Sequence, residues 1–206
     1  MSFKVVFIDD NLSVNDPFVQ NIRKNYPDSD YNNVFRNPKE GLDYVLSNLN
    51  NKMIVFIDWN FSGHHINGID ILKAIREETS LLYIVMMSAN QLRSDIPLSD
   101  IIYMMNEENF FYLDRSNSDF KAVIEIIEKI RIRWSTKLDC VLEDWLNRHP
   151  EDNNKIACSE VGSSGKVYTY TWADVLVELR KQTQFGKSFE YKLNQYYLYQ
   201  LEHSKK

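Results

Sequence analysis

Short apolar runs alternate along this chain with stretches whose apolar residues recur every three or four positions. Phe3 to Ile8 is a run rich in β-formers that closes on Asp9-Asp10, and Leu12 to Asn25 then carries Val14, Phe18, Val19 and Ile22 at helical spacing. Pro27-Asp28-Ser29-Asp30 breaks the chain, and a weaker strand is expected near Asn33 to Arg36. Pro38 suits the first turn of a helix whose face holds Leu42, Val45 and Leu49. Met53 to Ile57 is a buried-type strand ending at Asp58, and a glycine-containing loop follows it. Next come a helix near Ile69 to Glu77, a strand at Leu82 to Met87, a helix from Ser99 to Asn106 and a strand at Phe110 to Leu113. Strands alternating with helices predict a doubly wound, five-stranded parallel sheet joined by right-handed crossovers. In such sheets reactive groups gather at the carboxyl ends of the strands. Asp9, Asp10 and Asp58 all stand where an apolar strand stops.

The last helix of this pattern outruns the sheet. No Gly or Pro falls between Asn117 and Arg148, and Phe120, Val123, Ile127, Ile130, Trp134, Leu138, Val141 and Trp145 continue the helical spacing. The expectation is one unbroken helix from Ser118 to Leu146, roughly 43 Å at 1.5 Å per residue. Its far half needs cover from the C-terminal segment or from a second copy, and the homodimer is the favoured arrangement. The chain therefore divides into residues 1–135 and a C-terminal segment, 136–206. After Pro150, Glu-Asp-Asn-Asn reads as a linker. Lys155 to Val161 and Lys166 to Tyr170 flank Gly-Ser-Ser-Gly as a hairpin. Thr171 and Asp174 make a capping box for a helix with Trp172, Val175, Leu176 and Leu179 on one face. Gly186 is expected to end that unit, and Ser188 to cap a last helix with Phe189, Leu193, Tyr197 and Leu201 inward.

Composition narrows the function classes. With 44% hydrophobic and 26% charged residues the chain is an ordinary globular one. The apolar runs are too short for a membrane span, and the opening Met-Ser-Phe-Lys runs straight into a strand, so a cytoplasmic protein without a signal peptide is expected. Cys140 and Cys158 lie in no metal spacing and are read as free thiols. The net charge of −5 falls within residues 1–135, while 136–206 balance, so neither half is a basic nucleic-acid surface.

Phe-Ile-Asp9-Asp10-Asn, Phe-Ile-Asp58-Trp-Asn, Met-Met-Ser88-Ala and Phe-Tyr112-Leu-Asp-Arg115 follow one another in the order and spacing of the response-regulator receiver family. The resemblance covers about two thirds of the chain, and it implies the flavodoxin-like receiver fold of two-component signalling. It further implies that Asp58 is the phospho-acceptor and that Mg²⁺ is held by Asp10 directly, Asp9 through water, Asp58 by one oxygen and the carbonyl of Asn60. Three neighbouring carboxylates resist ionising together without a cation, and Mg²⁺ takes oxygen ligands in octahedral geometry. Ser88 is placed to donate to a phosphoryl oxygen, and Arg115 stands in the position of the family's phosphoryl-contacting lysine. An Asp pair at a strand end can also simply cap a helix, but Asp58, Ser88 and Arg115 in register favour the metal reading. The implied partner is a sensor histidine kinase or a phosphotransfer protein. No catalysis is expected beyond self-catalysed phosphotransfer and dephosphorylation.

Three departures bear on switching. Arg115 replaces the lysine and is a planar fork rather than a point charge. Ser116 follows where the family usually has a proline, and a cis bond before Ser would be costly. Ser62-Gly63-His64-His65-Ile66-Asn67 lengthens the loop after Asp58 by about two residues relative to that pattern. His64 and His65 are read as a solvated loop, since adjacent side chains rarely converge on one ion. Tyr112 is either the aromatic whose rotation reports phosphorylation in receivers or a half-buried strand aromatic. For residues 136–206 the expected output is a protein–protein contact. A DNA-binding regulator and a degenerate scaffold are the alternatives. The helix at 189–202 offers Lys192 against Glu190 and Glu202, with Tyr191, Tyr196, Tyr197 and Tyr199, a poor recognition helix for DNA.

Overall fold

The structure is a computed structural model that describes residues 3–88, 96–116, 119–162 and 165–204. The chain splits into two compact units, Met1–Trp134 and Ser135–Lys206.

The first unit contains β1 (Lys4–Ile8), α1 (Pro17–Asn25), β2 (Asp30–Phe35), α2 (Pro38–Ser47), β3 (Met53–Asp58), α3 (Gly68–Glu78), β4 (Tyr83–Ser88), α4 (Leu98–Asn106), β5 (Phe110–Asp114) and α5 (Phe120–Trp134). Its five strands are parallel in the order β2-β1-β3-β4-β5, the flavodoxin-like arrangement. Side-chain alternation explains the two layers of helices. Val6, Ile8, Val55, Ile57, Ile84 and Met86 share one buried cluster with Val45 of α2, Leu72 of α3 and Met104 of α4. From the opposite face, Phe7 and Phe56 stack on each other and meet Phe18 of α1, which in turn meets Phe120 of α5. A strand period of two thus supplies two apolar faces, and each needs its own helices. The crevice where the strand order reverses lies at the carboxyl ends of β1 and β3.

Two expectations for this unit change. The first helix does not begin at Leu12 but at Pro17, with the Asp16 side chain accepting the Phe18 N–H. Leu12 is buried in the preceding loop, where its carbonyl accepts from Arg36 Nε at 3.1 Å. Nor does the helix over 118–146 run unbroken: Ser118 lies outside the described residues, α5 stops at Trp134, and Lys137 is extended (φ −84°, ψ 132°) before α6 (Leu138–Arg148) begins. Ser135 and Thr136, residues that favour caps and turns over helix interiors, mark the break. Trp134 turns into the first core, its ring 5.4 Å from Phe3 and 5.8 Å from Tyr83. The apolar stripe therefore divides, and the argument for a dimer through a projecting rod falls with it. Ile130 and Trp134 are buried with the sheet, Leu138 and Trp145 pack on the second unit's own core, and Val141 remains 48% exposed.

In the second unit α6 is followed by a 3-10 turn at Pro150–Asp152, a hairpin of β6 (Ile156–Val161) and β7 (Val167–Thr171), then α7 (Trp172–Arg180) and α8 (Gln184–His203). Its core is Leu142, Leu146, Val175, Leu176 and Leu179. The Thr171–Asp174 capping box forms as expected. The stretch after Pro150 is not a loose linker, because Lys155 and Asn153 carbonyls accept the Trp172 and Ala173 N–H groups. Gly186 does not end a unit and Ser188 does not cap a helix: Thr183 caps α8 and accepts the Gly186 N–H at 3.1 Å. A side chain at Gly186 would meet the Glu178 carbonyl at 2.2 Å, so this glycine lets α8 lie directly on α7. Of the four residues expected inward, Phe189 packs against the core, whereas Tyr197 and Leu201 are exposed. No helix among the described residues is long and apolar enough to cross a membrane.

One buried ion group holds this unit together. Arg180 of α7 reaches Asp139 (3.2 Å) and Glu143 (2.7 Å) of α6, all three buried. Burial works against the guanidinium charge, but the two carboxylates outweigh it and leave its pKa raised. Arg180→Leu strands two carboxylates in the interior and is expected to cost about 3–5 kcal/mol. Urea denaturation followed by tryptophan fluorescence measures this, and a loss under about 1 kcal/mol would mean that water replaces the arginine.

Candidate functional site

The site is built at the ends of four strands. Past β1, the Asp9 N–H still donates to the Phe35 carbonyl of β2 at 3.0 Å, which holds this residue in the strand line. Asp9 is fully buried. Its Oδ1 accepts the N–H groups of Asn11 (2.8 Å) and Leu12 (3.1 Å), closing the turn toward α1. Its Oδ2 accepts from Arg115 Nη1 at 2.7 Å. Asp10 takes the Asn11 side-chain amide on Oδ1 (2.8 Å) and the Ser62 N–H on Oδ2 (2.9 Å). Asp58 is the last residue of β3, beside Met87 across the ladder to β4. One oxygen each from Asp9, Asp10 and Asp58 lie within 4.8 Å of one another.

This crowding sets the electrostatics. Burial, first, and the neighbouring Asp9 push the Asp58 carboxyl up to about 7 from its ordinary 3.8, with Asp10 adding to the rise. Arg115 and the backbone amide of Trp59 oppose it. All three side chains offer hard oxygen donors, the set that Mg²⁺ prefers, and a dication would offset the burial and the like-charge repulsion that push the Asp58 carboxyl up. The residues present therefore fit that ion. Asn60 is exposed in the loop two positions beyond Asp58, where its carbonyl could complete the set.

Ser88 and Arg115 occupy the next strand ends. Ser88 closes β4 and is buried, and its carbonyl accepts the Arg115 N–H at 2.8 Å. The stem of Arg115 thus leaves from a fixed point, while its side chain keeps 33% of its surface in solvent. Tyr112, in β5, packs against the sheet core, with the Ser88 side chain within hydrogen-bonding reach of its hydroxyl. Burial, partly offset by that interaction, raises the Tyr112 pKa. Ser116 donates its N–H and hydroxyl to Asp114 Oδ1 (2.9 and 2.6 Å), and no cis peptide occurs among the described residues.

Asp9, Asp10, Asp58 and Arg115 are thus brought together, while Ser88 at the end of β4 lies near Tyr112 in the middle of β5. His64 and His65 are exposed, and neither joins a potential metal group among the described residues. A second such group, His149, Glu151 and Asp152, is accounted for by its own ion pairs, His149 with Glu151 and Lys155 with Asp152.

Two contributors were missed at the sequence level. The Ser62 amide, in the lengthened loop, fixes Asp10. Gly68, the first residue of α3, donates its N–H to the Trp59 carbonyl at 2.8 Å, and a Cβ there would stand 2.4 Å from the Asp58 carbonyl oxygen. The close approach of α3 to the backbone of Asp58 requires glycine. Asn67-Gly68 ahead of a helical pattern was the available signal, since Asn67 caps α3 in a box with Asp70.

No family model matches the chain, and neither does any curated protein. Among solved structures it is similar to the response regulator domain of Thermotoga maritima CheB, with 21% identity over 64% of this chain and 95% of that one, TM-score 0.46. It is likewise similar to a response regulator receiver domain protein from Clostridium thermocellum, at 21% identity over 64% and 95%, TM-score 0.47. A CheY-like receiver domain protein from Methanospirillum hungatei JF-1 aligns at 13% identity over 63% and 93%, TM-score 0.45.

The raised pKa of Asp58 has a signed consequence for stability. Below about pH 4 the carboxyl is protonated folded and unfolded and costs nothing; between about pH 4 and about 7 the unfolded chain ionises while the folded protein keeps the proton, so stability is lost progressively and the full cost is reached above about 7. Asp58→Asn, neutral throughout, is therefore expected to raise the melting temperature of the metal-free protein at pH 8 and to do so much less at pH 5. Thermal unfolding in chelator at both pH values reads the difference, and an equal gain at both would mean that Asp58 titrates normally.

Proposed function

We propose that the first unit is a phospho-acceptor of a two-component system, and that Asp58 takes a phosphoryl group from a phosphohistidine of a sensor kinase or phosphotransfer protein. The observation that carries this reading is the carboxylate group at the switch point, with Asp58 at a strand end between the fully buried Asp9 and the Ser88 strand end. One oxygen of the ionised Asp58 attacks phosphorus, an aspartyl phosphate bond forms, and the phosphorus–nitrogen bond to the donor imidazole breaks. The electron pair leaves with the imidazole, which is protonated from solvent or from its own protein. Bound Mg²⁺ supplies charge neutralisation for the transferring group.

The chain's own residues do the rest. Asp9 and Asp10 would hold the cation beside Asp58, and the Asn60 carbonyl would be a further ligand. Ser88 donates its hydroxyl to a phosphoryl oxygen, and its bond with Tyr112 passes the change to β5. Arg115 offers a cation to the same group. The balance favours a protein partner for output: α8 exposes Tyr191, Tyr196, Tyr197, Leu198, Tyr199 and Leu201, an aromatic surface suited to protein contact and poor in the cations that DNA needs.

Incubation with acetyl phosphate or phosphoramidate and Mg²⁺ is expected to give an acid-labile, hydroxylamine-sensitive adduct that adds one phosphoryl mass. Asp58→Asn should reduce it by at least about a hundredfold, the scale expected when the nucleophile itself is removed. Labelling of the variant at the wild-type rate would move the acceptor elsewhere.

A further inference from the structure

We propose that Arg115 and the divalent cation exchange for the same oxygen of Asp9, so that metal loading frees the guanidinium for the phosphoryl group. The inference rests on the acceptor reading above and adds an order of events to it.

The two oxygens of Asp9 have separate duties. Oδ1 is committed to the backbone, holding the amides of Asn11 and Leu12 at 2.8 and 3.1 Å. Giving it to a metal would open the turn between β1 and α1. Oδ2 is the oxygen left for a cation, and Arg115 Nη1 already holds it at 2.7 Å. Asp9 is fully buried, so this oxygen needs a positive partner and has no bulk water in its place. Oδ2, like Oδ1 with its two amides, has a second lone pair, but a guanidinium and a dication on one buried oxygen repel each other, and loading the ion therefore favours release of the arginine.

The arginine is the movable member. Its backbone is fixed by the Ser88 carbonyl, but its side chain is 33% exposed and also lines an open cleft of about 210 Å³ with Phe18, Asp119 and Phe120. A released guanidinium thus has room, and it stays charged at any pH the protein survives. The charge count supports the exchange. Three carboxylates facing one arginine leave excess negative charge, and a dication neutralises more of it than the guanidinium does.

The test uses the full-length protein with MgCl₂ and no phosphodonor, so that binding is read apart from phosphorylation. Isothermal titration at pH 8 is expected to show Arg115→Ala binding Mg²⁺ about tenfold more tightly than wild type, the scale of one charge-assisted hydrogen bond. Asp9→Asn keeps an oxygen for the Asn11 and Leu12 amides but loses the ion pair. In that background Arg115→Ala is expected to change affinity by less than about twofold. A parallel NMR titration of wild type should shift the Arg115 Nε–H resonance from a bonded to a solvent-exchanging position as Mg²⁺ binds. Equal affinity of wild type and Arg115→Ala would overturn the exchange and leave the acceptor reading standing. An undiminished gain in the Asp9→Asn background, or an Arg115 resonance unmoved by Mg²⁺, would reduce the arginine to a distant charge and overturn it likewise. Absence of Mg²⁺ binding in both proteins would overturn the acidic-site reading together with this inference.

Discussion

Like-charge repulsion at the carboxyl edge of the sheet is the constraint around which the first unit is arranged. Asp9, Asp10 and Asp58 come within reach of one another because β1 and β3 are adjacent, in-register parallel strands that end together. Nothing in the apolar core asks for this. Buried strands of Val, Ile and Phe would be equally well packed with Ser or Asn at their ends. The carboxylates persist because each has donors waiting: backbone amides for Asp9, the Asn11 side chain and Ser62 amide for Asp10, and Arg115 across the gap. Asp58 has the poorest supply, and its carboxyl is the one pushed to about 7. The chemistry is concentrated on the member of the group that the fold satisfies least.

The rigidity beneath the site comes from close backbone contact. Gly68 brings α3 against the Asp58 carbonyl, and its N–H returns to Trp59. Trp59 and Phe61, at the start of the loop, are buried with the sheet core. Asp58 therefore sits on a strand end held from both directions, while His64 and His65 of the loop are left to solvent. In the proposed role, a fixed Asp58 faces a partly exposed counter-cation, and a lysine with its rotatable ammonium would meet that role differently from the forked Arg115.

Much of this was legible in the order of residues. Short apolar runs located all five strands to within a few residues, since strands buried on both faces are written as near-continuous hydrophobic stretches. The positions of Asp9, Asp10, Asp58, Ser88 and Arg115 followed from those strand ends. What could not be read was pairing between specific atoms, such as the Ser62 amide on Asp10 or the glycine packed on Asp58, because neither leaves a periodic trace. The break after Trp134 was hidden for a related reason. Ser135 and Thr136 disfavour a helix interior only weakly, so they left no clear stop signal, whereas the structure seats the Trp134 ring against Phe3 and Tyr83 in the first core. The far half of α8 misled in the opposite direction, because its apolar residues are spread around the helix rather than set on one face.

That break also governs how the chain can be made. Every strand of the parallel sheet, and the helices for both of its faces, precede Ser135 in the sequence. The ribosome adds about 5–20 residues per second, so the last 72 positions take roughly 4–14 s to appear. A sheet that closes with Trp134 has no need of them. Its non-local strand pairings, the slow part of such a topology, can be finished while the second unit is still being synthesised. A continuous helix across residues 134–138 would have tied the two schedules together; the three-residue interruption lets each core be completed on its own clock.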